Sequence, residues 1–154
     1  MNISTLSIHP LSLSPKTKEW LAFAISLICL ALFIIAAYDK VADNERFVKG
    51  LATVPVIGAY AGTIAWLVPM IEVIVAVLLL VPSTQKFGLW AFLITMVGFT
   101  IYILGMWLWA ENLPCHCNLI VEKLSWGEHV VFNMVFIGLA AWALWLVKNK
   151  EYKS

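Results

Sequence analysis

The sequence has 154 residues, of which 62% are hydrophobic and 12% are charged, and its formal net charge is +1. A soluble domain carries about 25% charged residues, and a soluble fold of this length cannot bury so much apolar surface. The composition therefore predicts one integral membrane domain in contact with the lipid bilayer. The near-zero net charge gives no indication of a nucleic-acid partner.

Four apolar runs are each about as long as a helix needs to be to cross the hydrocarbon core, roughly 20 residues. They cover residues 20–38, 62–81, 87–110 and 130–147. Because backbone groups in lipid need internal hydrogen-bond partners, we predict an all-α integral membrane four-helix bundle. The first run is longer than the apolar region of a signal peptide, about 7 to 15 residues, so we interpret it as a retained span.

The predicted spans divide the chain into an N-terminal arm (1–19), a four-span membrane domain (20–147) and a tail (148–154). Six of the Lys and Arg residues lie in the arm, the second loop and the tail, and four lie in the first and third loops. Positive residues are retained in the cytoplasm, so both termini are predicted to be cytoplasmic. In a bacterium, this describes a multi-pass protein of the inner (plasma) membrane whose first and third loops are extracytoplasmic.

The first of these outer loops, residues 39–61, carries the signals of a short amphipathic helix. Asp43 can cap its N-terminus. Phe47, Leu51 and Val54 then fall on one stripe at spacings of four and three residues. We expect this helix to lie on the outer interface, and a similar short helix in the third loop would complete a lid over the bundle.

The third loop holds two of the three cysteines of the chain, Cys115 and Cys117, with His116 between them. Thiol exchange needs a thiolate and access, and a protonated His116 would favour the thiolate. The two Cα atoms of a Cys-x-Cys pair span at most about 7 Å, whereas a disulfide needs about 4.4 to 6.8 Å, so the chain must bend tightly. Because a strained disulfide exchanges readily, we interpret these three residues as the candidate catalytic residues of a redox site in the oxidising periplasm.

Metal binding and a structural role are alternatives for the same residues. Cys115, His116 and Cys117, together with His129, offer ligands that suit copper(I) or zinc. Adjacent residues rarely all point at one ion, and the spacing matches no zinc-finger pattern, so we assign no metal ligands. A structural disulfide or two unrelated thiols also fit the pattern. Cys29, in the middle of the first span, is expected to behave as a small apolar residue.

Glu72 is the only Asp, Glu, Lys or Arg residue within the four predicted spans. A charge at a helix centre costs about 2.5 to 3.5 kcal/mol, which the Val, Leu and Ile residues of the same span offset. Pro69 lies one turn earlier and deprives the carbonyl of Ala65 of its helical partner. The expected partner of Glu72 is a basic residue of the first loop: Lys40, Arg46 or Lys49. We consider two roles for Glu72: an ion pair that joins the lid to the bundle, and a proton relay or ligand contact.

Two stretches and the cysteine pair resemble the MauE/DoxX group of redox-associated membrane proteins. The stretches are "YDKVADNERFVKGL" (38–51) and "PMIEVIVAVLLLVP" (69–82), and a Cys-x-Cys follows before the last span. The residues that match the pattern of this family are Lys40, Asp43, Phe47, Leu51, Pro69, Glu72, Cys115 and Cys117. The resemblance extends over roughly 38–147, and it is carried by the order and spacing of motifs that are individually loose.

The resemblance implies a four-helix membrane protein with a role in disulfide formation or thiol transfer. Members similar to MauE often have Cys-Gly-Cys in the outer loop, and this chain departs from them at His116. A histidine restricts the bend that a Cys-x-Cys disulfide requires and makes metal binding less remote. Glu72, Lys40, Asp43, Arg46 and Pro69 are then the supporting residues that hold the outer loops over the bundle.

Our leading hypothesis is a membrane thiol–disulfide redox protein that exchanges its Cys-His-Cys pair with a periplasmic or membrane protein during protein maturation. Its enzymatic form would be a thiol–disulfide oxidoreductase, with a quinone or a second redox protein as electron partner. The first alternative is a non-catalytic assembly or accessory subunit of an envelope membrane complex. The second alternative is a protein that handles copper or zinc.

Overall fold

The computed structural model describes residues 14–55, 57–109 and 126–151. Its elements are α1 (Pro15–Ala42), α2 (Asn44–Ala52), a 3-10 turn (Gly58–Tyr60), α3 (Ala61–Leu80), α4 (Gln85–Trp109) and α5 (Trp126–Glu151). Four helices within these ranges are long and apolar enough to cross a membrane, and the described residues include no strand. The predicted all-α four-helix membrane bundle is therefore confirmed.

Local sequence signals determine where α1 begins. Ser14 is its N-cap and accepts a hydrogen bond from the backbone N–H of Thr17, and Pro15 follows at the first helical position. A proline there loses no helical hydrogen bond, and a serine cap satisfies one of the free N–H groups. The helix therefore starts before the apolar run does, which begins at Trp20.

A single residue, Asp43, separates α1 from α2. Its backbone N–H donates to the carbonyl of Asp39 and so ends α1, while its side chain accepts from the N–H of Arg46 and so begins α2. The predicted short helix capped by Asp43 is confirmed. Because the corner is so tight, the last turn of α1 and the first turn of α2 are held in one fixed relation.

The four long helices are arranged around a common apolar core. α1 and α4 each pack against both α3 and α5, so α1 and α4 face each other across the diagonal of the bundle. The core is formed by buried side chains of all four helices: Phe33, Leu79, Leu89, Phe92, Ala140 and Leu146. The outer faces carry large exposed apolar side chains such as Trp66, Ile94 and Val131, as expected for a surface in contact with lipid.

Three side-chain contacts connect α1 and α4 across this diagonal. They are Gln85 Nε2 to Ser26 Oγ (2.8 Å), the rings of Phe33 and Phe92 (4.4 Å between centroids), and Lys40 Nζ to the Phe99 ring centroid (5.5 Å). The contacts recur at heptad intervals along both helices, which is the register of a left-handed bundle. Since the three contacts follow one another in the same order along both helices, α1 and α4 are parallel. Their C-terminal ends therefore lie at the same end of the bundle.

At the opposite end, α3 and α4 are joined by a short turn with very close backbone packing. A Cβ atom added at Gly88 would lie 2.8 Å from the backbone carbon of Leu78 and 2.8 Å from the nitrogen of Leu79. The hydroxyl of Thr84 donates to the carbonyl of Leu78 across the same turn. Only a glycine at position 88 allows the two helices to approach this closely.

Candidate functional site at the lid end of the bundle

The centre of the candidate site is a buried ion pair between α1 and α3. Lys40 Nζ lies 2.8 Å from Glu72 Oε1 and also donates to the carbonyl of Ala36 at 3.2 Å. The side chain of Lys40 is 11% exposed and that of Glu72 is 0% exposed. Among the three basic residues that the sequence offers as partners, the structure therefore pairs Lys40 with Glu72.

Arg46, the second of these residues, takes part in a different ion pair. Its Nη1 lies 3.9 Å from Oδ2 of Asp43, and both side chains are largely exposed. An exposed pair at this distance contributes little to stability, about 0 to 1 kcal/mol. The contact reinforces the corner between α1 and α2 and does not reach the buried centre.

Two aromatic rings border the ammonium group of Lys40. The centroid of Phe99 on α4 is 5.5 Å away, and that of Phe47 on α2 is 5.9 Å away. Rings at this distance attract a cation through their quadrupole and at the same time keep water from it. The ammonium group therefore lies beside apolar rings from two helices, α2 and α4, in addition to its carboxylate and carbonyl partners.

Within the part of the chain that the structure describes, the second carboxylate oxygen of Glu72, Oε2, has no hydrogen-bond partner. Glu72 is fully buried, so this oxygen is shielded from bulk water. A buried carboxylate oxygen without a partner is costly in an apolar interior, because it has lost its hydration and gained nothing in exchange. The ion pair is therefore only half satisfied, and this oxygen is the most unusual polar atom of the described structure.

The short helix α2, which we call the lid, covers the N-terminal part of α3. Leu51 is buried against Ala61 and Ala65, with Phe47 partly buried beside them. Val54 is also partly buried. Phe47 and Leu51 of the predicted apolar stripe thus face α3, and the charged residues Glu45 and Lys49 of the lid are exposed.

A polar contact also joins the lid to α3. Asn44 Nδ2 donates to the carbonyl oxygen of Ala65 at 3.5 Å. This carbonyl has no helical partner because Pro69, inside α3, lacks an N–H group. The sequence indicates the free carbonyl but not the residue that reaches it, since Asn44 is distant in the chain and carries no motif of its own.

A second buried polar contact, between α4 and α5, was missed by the sequence analysis. Asn133 Nδ2 donates to Thr100 Oγ1 at 3.3 Å, and the Thr100 hydroxyl donates to the carbonyl of Met96 at 2.8 Å. Asn133 and Thr100 are both buried. The available signal was a lone amide residue in an apolar span, since polar side chains of membrane helices commonly bond to neighbouring helices.

Cys115, His116 and Cys117, the predicted catalytic residues, lie outside the described residues. α4 ends at Trp109 and α5 begins at Trp126, and both ends are at the lid end of the bundle. The third cysteine, Cys29, is 0% exposed in the core. In the described ranges, no three His, Cys, Asp or Glu side chains come together as a metal site.

Comparison with known proteins identifies one family. The family model described as "Methylamine utilisation protein MauE" matches residues 18–146, which is most of the chain. Curated proteins and solved structures gave no match to the chain. The matched range includes the lid, the Lys40–Glu72 pair and the Cys-His-Cys segment, and the resemblance stated from the sequence is confirmed.

Proposed function

The chain belongs to the MauE family of membrane proteins, and on this basis we propose that it is a membrane thiol–disulfide redox protein. Cys115 and Cys117 exchange a disulfide with a partner protein on the extracytoplasmic side. In each exchange, a thiolate attacks one sulfur of the disulfide, and a mixed disulfide forms and is then resolved. The disulfide of one protein becomes a dithiol as the dithiol of the other becomes a disulfide, so two electrons and two protons change hands.

The observation that carries this proposal is that one cysteine is buried in the core, whereas the other two are separated by a single residue in the sequence. Cys29 is enclosed in the bundle core, where no partner protein can reach its sulfur. Exchange with a partner therefore falls to Cys115 and Cys117, the other two cysteines of the sequence. They belong to the segment between the ends of α4 and α5, where the chain leaves the apolar spans.

The architecture supports a rigid base for such a segment. The diagonal contacts hold α4 in register with α1, and the Asn133–Thr100 hydrogen bond holds α5 against α4. A reactive pair is more precise when its supporting elements are helices rather than loops. In this proposal, the bundle anchors both ends of the Cys-His-Cys segment, and His116 favours the thiolate form of its neighbours.

Thiol trapping in intact cells tests the exchange. We expect wild-type protein to show a fraction of Cys115–Cys117 disulfide that an alkylating probe detects only after reduction. Cys117→Ser should accumulate a mixed disulfide with the partner, since the resolving thiol is missing. Cys29→Ser is the matched control and should behave as wild type. If both cysteines remain reduced under every growth condition and Cys117→Ser accumulates no adduct, the redox proposal is wrong.

Orientation is tested by a maleimide that does not cross membranes. Applied to whole cells after reduction in a Cys29→Ser background, it should label Cys115 and Cys117 without permeabilisation. Labelling only after permeabilisation would place the pair in the cytoplasm and contradict the proposal.

The two alternative functions, an assembly subunit and a protein that handles copper or zinc, predict different results when the protein is purified. Recovery of one stoichiometric partner that is unaffected by Cys115→Ser and Cys117→Ser together would indicate an assembly subunit. Copper or zinc that purifies with the wild type and is lost in the same double variant would indicate metal handling.

A further inference from the structure

We propose that the Lys40–Glu72 pair is a proton-binding site, at which Glu72 takes up a proton as the ammonium group of Lys40 moves out of the pair towards the membrane interface. The proton comes from the aqueous phase at the lid end of the bundle. No electron moves and no covalent bond of the chain is broken. This inference does not depend on the thiol chemistry of Cys115 and Cys117.

The first argument is the state of the Glu72 carboxylate. Oε1 accepts a charge-assisted hydrogen bond from Lys40, but Oε2 is buried and has no partner in the described chain. Glu72 is fully buried, so Oε2 is shielded from bulk water. A proton needs no space, and binding it removes the negative charge that makes the oxygen costly in an apolar interior. Ionisable residues of this kind inside a membrane are typical of proton-carrying sites.

The second argument is the charge balance of the centre. While Glu72 is ionised, the pair is neutral as a whole; once Glu72 binds a proton, Lys40 is left as a single buried cation. The carbonyl of Ala36 and the rings of Phe47 and Phe99 do not replace the lost counter-charge. The protonated state is therefore favourable only if the ammonium group reaches water.

The charged group of Lys40 is positioned to reach water, and that of Glu72 is not. Lys40 lies in the last turn of α1, which ends at Ala42, and its side chain is already 11% exposed. A lysine near the end of a membrane helix extends its flexible stem so that the charged group reaches the interface. Glu72 is in the interior of α3 and 0% exposed, so its only route to a low-energy state without Lys40 is to become neutral.

Other titratable groups of the described residues lie on the elements that pack against α3. The elements packed against α3 contribute Tyr38 and Asp39 from α1, Asp43 from the corner, Glu45, Arg46 and Lys49 from α2, Tyr60 from the 3-10 turn and Tyr102 from α4. The salt bridge and side-chain hydrogen bond of Glu72 are with Lys40. Proton uptake by Glu72 is therefore linked to the position of one lysine, and through Phe47 to the packing of the lid.

Acylation of lysines by an amine-reactive reagent tests the movement, with modification at each lysine measured by mass spectrometry on the full chain in mild detergent. Lys49, exposed on the lid, is the internal standard that corrects for the pH dependence of the reagent. In wild type, we expect the ratio of Lys40 to Lys49 modification to rise several-fold as the pH is lowered. In Glu72→Gln, which imitates the protonated acid, the ratio should be high and independent of pH. Equal ratios in both proteins at every pH would overturn the proposal and leave a purely structural ion pair.

Folding of the variant is checked in the same samples through Cys29. This thiol is buried in the core, so it should resist alkylation in Glu72→Gln as it does in wild type. If the variant does not fold, wild-type protein decides the question through infrared difference spectra recorded on acidification. We expect the carbonyl band of a protonated carboxylic acid that is protected from bulk solvent and shifts on deuteration. Its absence across the pH range in which the protein stays folded would overturn the proposal.

Discussion

Asn44, the first residue of the lid, donates to the carbonyl oxygen of Ala65, about one helical turn inside the membrane helix it covers. That oxygen is free because Pro69 follows one turn later and has no N–H group. A proline in a lipid-embedded helix is tolerated when another group satisfies the freed carbonyl. The lid therefore completes the backbone hydrogen bonding of α3, and does not merely cover its surface.

This relationship predicts a coupling between positions 44 and 69. Asn44→Ala removes the donor and should lower the free energy of unfolding by about 1 kcal/mol, at the lower end of the range for an unsatisfied buried carbonyl because the bond is long. In a Pro69→Ala background, the new N–H group of residue 69 can bond to Ala65, and Asn44→Ala should then cost much less. Titration with a denaturing detergent measures all four proteins of this cycle. Equal costs in both backgrounds would show that Asn44 does not serve the freed carbonyl.

The buried ion pair predicts an asymmetry between its two partners. Lys40→Met leaves Glu72 with no counter-charge and no route to water, so it must either stay a buried carboxylate or take up a proton, and stability should fall by about 3 to 5 kcal/mol. Glu72→Gln should cost clearly less, since the remaining lysine can reach the interface. The double variant Lys40→Met with Glu72→Leu should be more stable than Lys40→Met alone, because no buried charge remains. Unfolding in detergent compares the three variants, and a double variant no more stable than Lys40→Met would contradict this account.

The turn between α3 and α4 predicts a contrast between two glycines of one helix. Gly88→Ala places a methyl group 2.8 Å from the backbone of Leu78 and Leu79, and backbone there must shift. We expect the free energy of unfolding to fall by about 1 to 3 kcal/mol, as it does when extra atoms are inserted into a well-packed site. Gly98→Ala, on the same helix, meets nothing within 4 Å and should be neutral or slightly stabilising. Thermal unfolding should therefore show a clear loss of stability for Gly88→Ala and no loss for Gly98→Ala. Similar losses of stability in both variants would refute the close approach of the two helices at Gly88.

The diagonal contact between Phe33 and Phe92 predicts a large loss on truncation of either ring. Both side chains are buried, so Phe33→Ala should lower stability by about 3 to 5 kcal/mol through lost contacts and the cavity left behind. A double-mutant cycle with Phe92→Ala should show a coupling of about 0.5 to 1.5 kcal/mol between the rings. Phe87→Ala is the control, because Phe87 is 71% exposed and has little to lose. Additive losses at positions 33 and 92 would indicate that the rings do not act as a pair.

The secondary structure was largely predictable because lipid leaves few choices. Long apolar runs must be helical, and the local signals at Asp43 and Ser14 act within a few residues of where they occur. The sequence predicts Asp43 to be a helix cap, and the structure confirms it. The helix α1 begins before the apolar run that defines the first span, since Ser14 and Pro15 start it at residue 15.

The candidate site was predictable only in part. An acidic residue inside an apolar span demands a partner, so Glu72 and a small set of basic residues could be named from the sequence. The choice of Lys40 over Arg46 depended on the tight corner at Asp43, which keeps Lys40 on α1 facing the bundle and leaves Arg46 on the lid beside Asp43. The rings that border Lys40 and the amide of Asn133 could not be assigned contacts, because those contacts come from the packing of separate helices.

Composition and spacing by themselves determined that this protein is a bundle of membrane helices and that a short capped helix follows the first span. These properties depend on the solvent and on neighbours in the chain, both of which a sequence displays directly. Only the tertiary structure decided which helices face each other, which lysine neutralises Glu72, and that one oxygen of Glu72 has no partner among the described residues. Those outcomes depend on the relative register of α1, α3 and α4, which is set by the packing of whole helix surfaces and is not encoded in any single stretch.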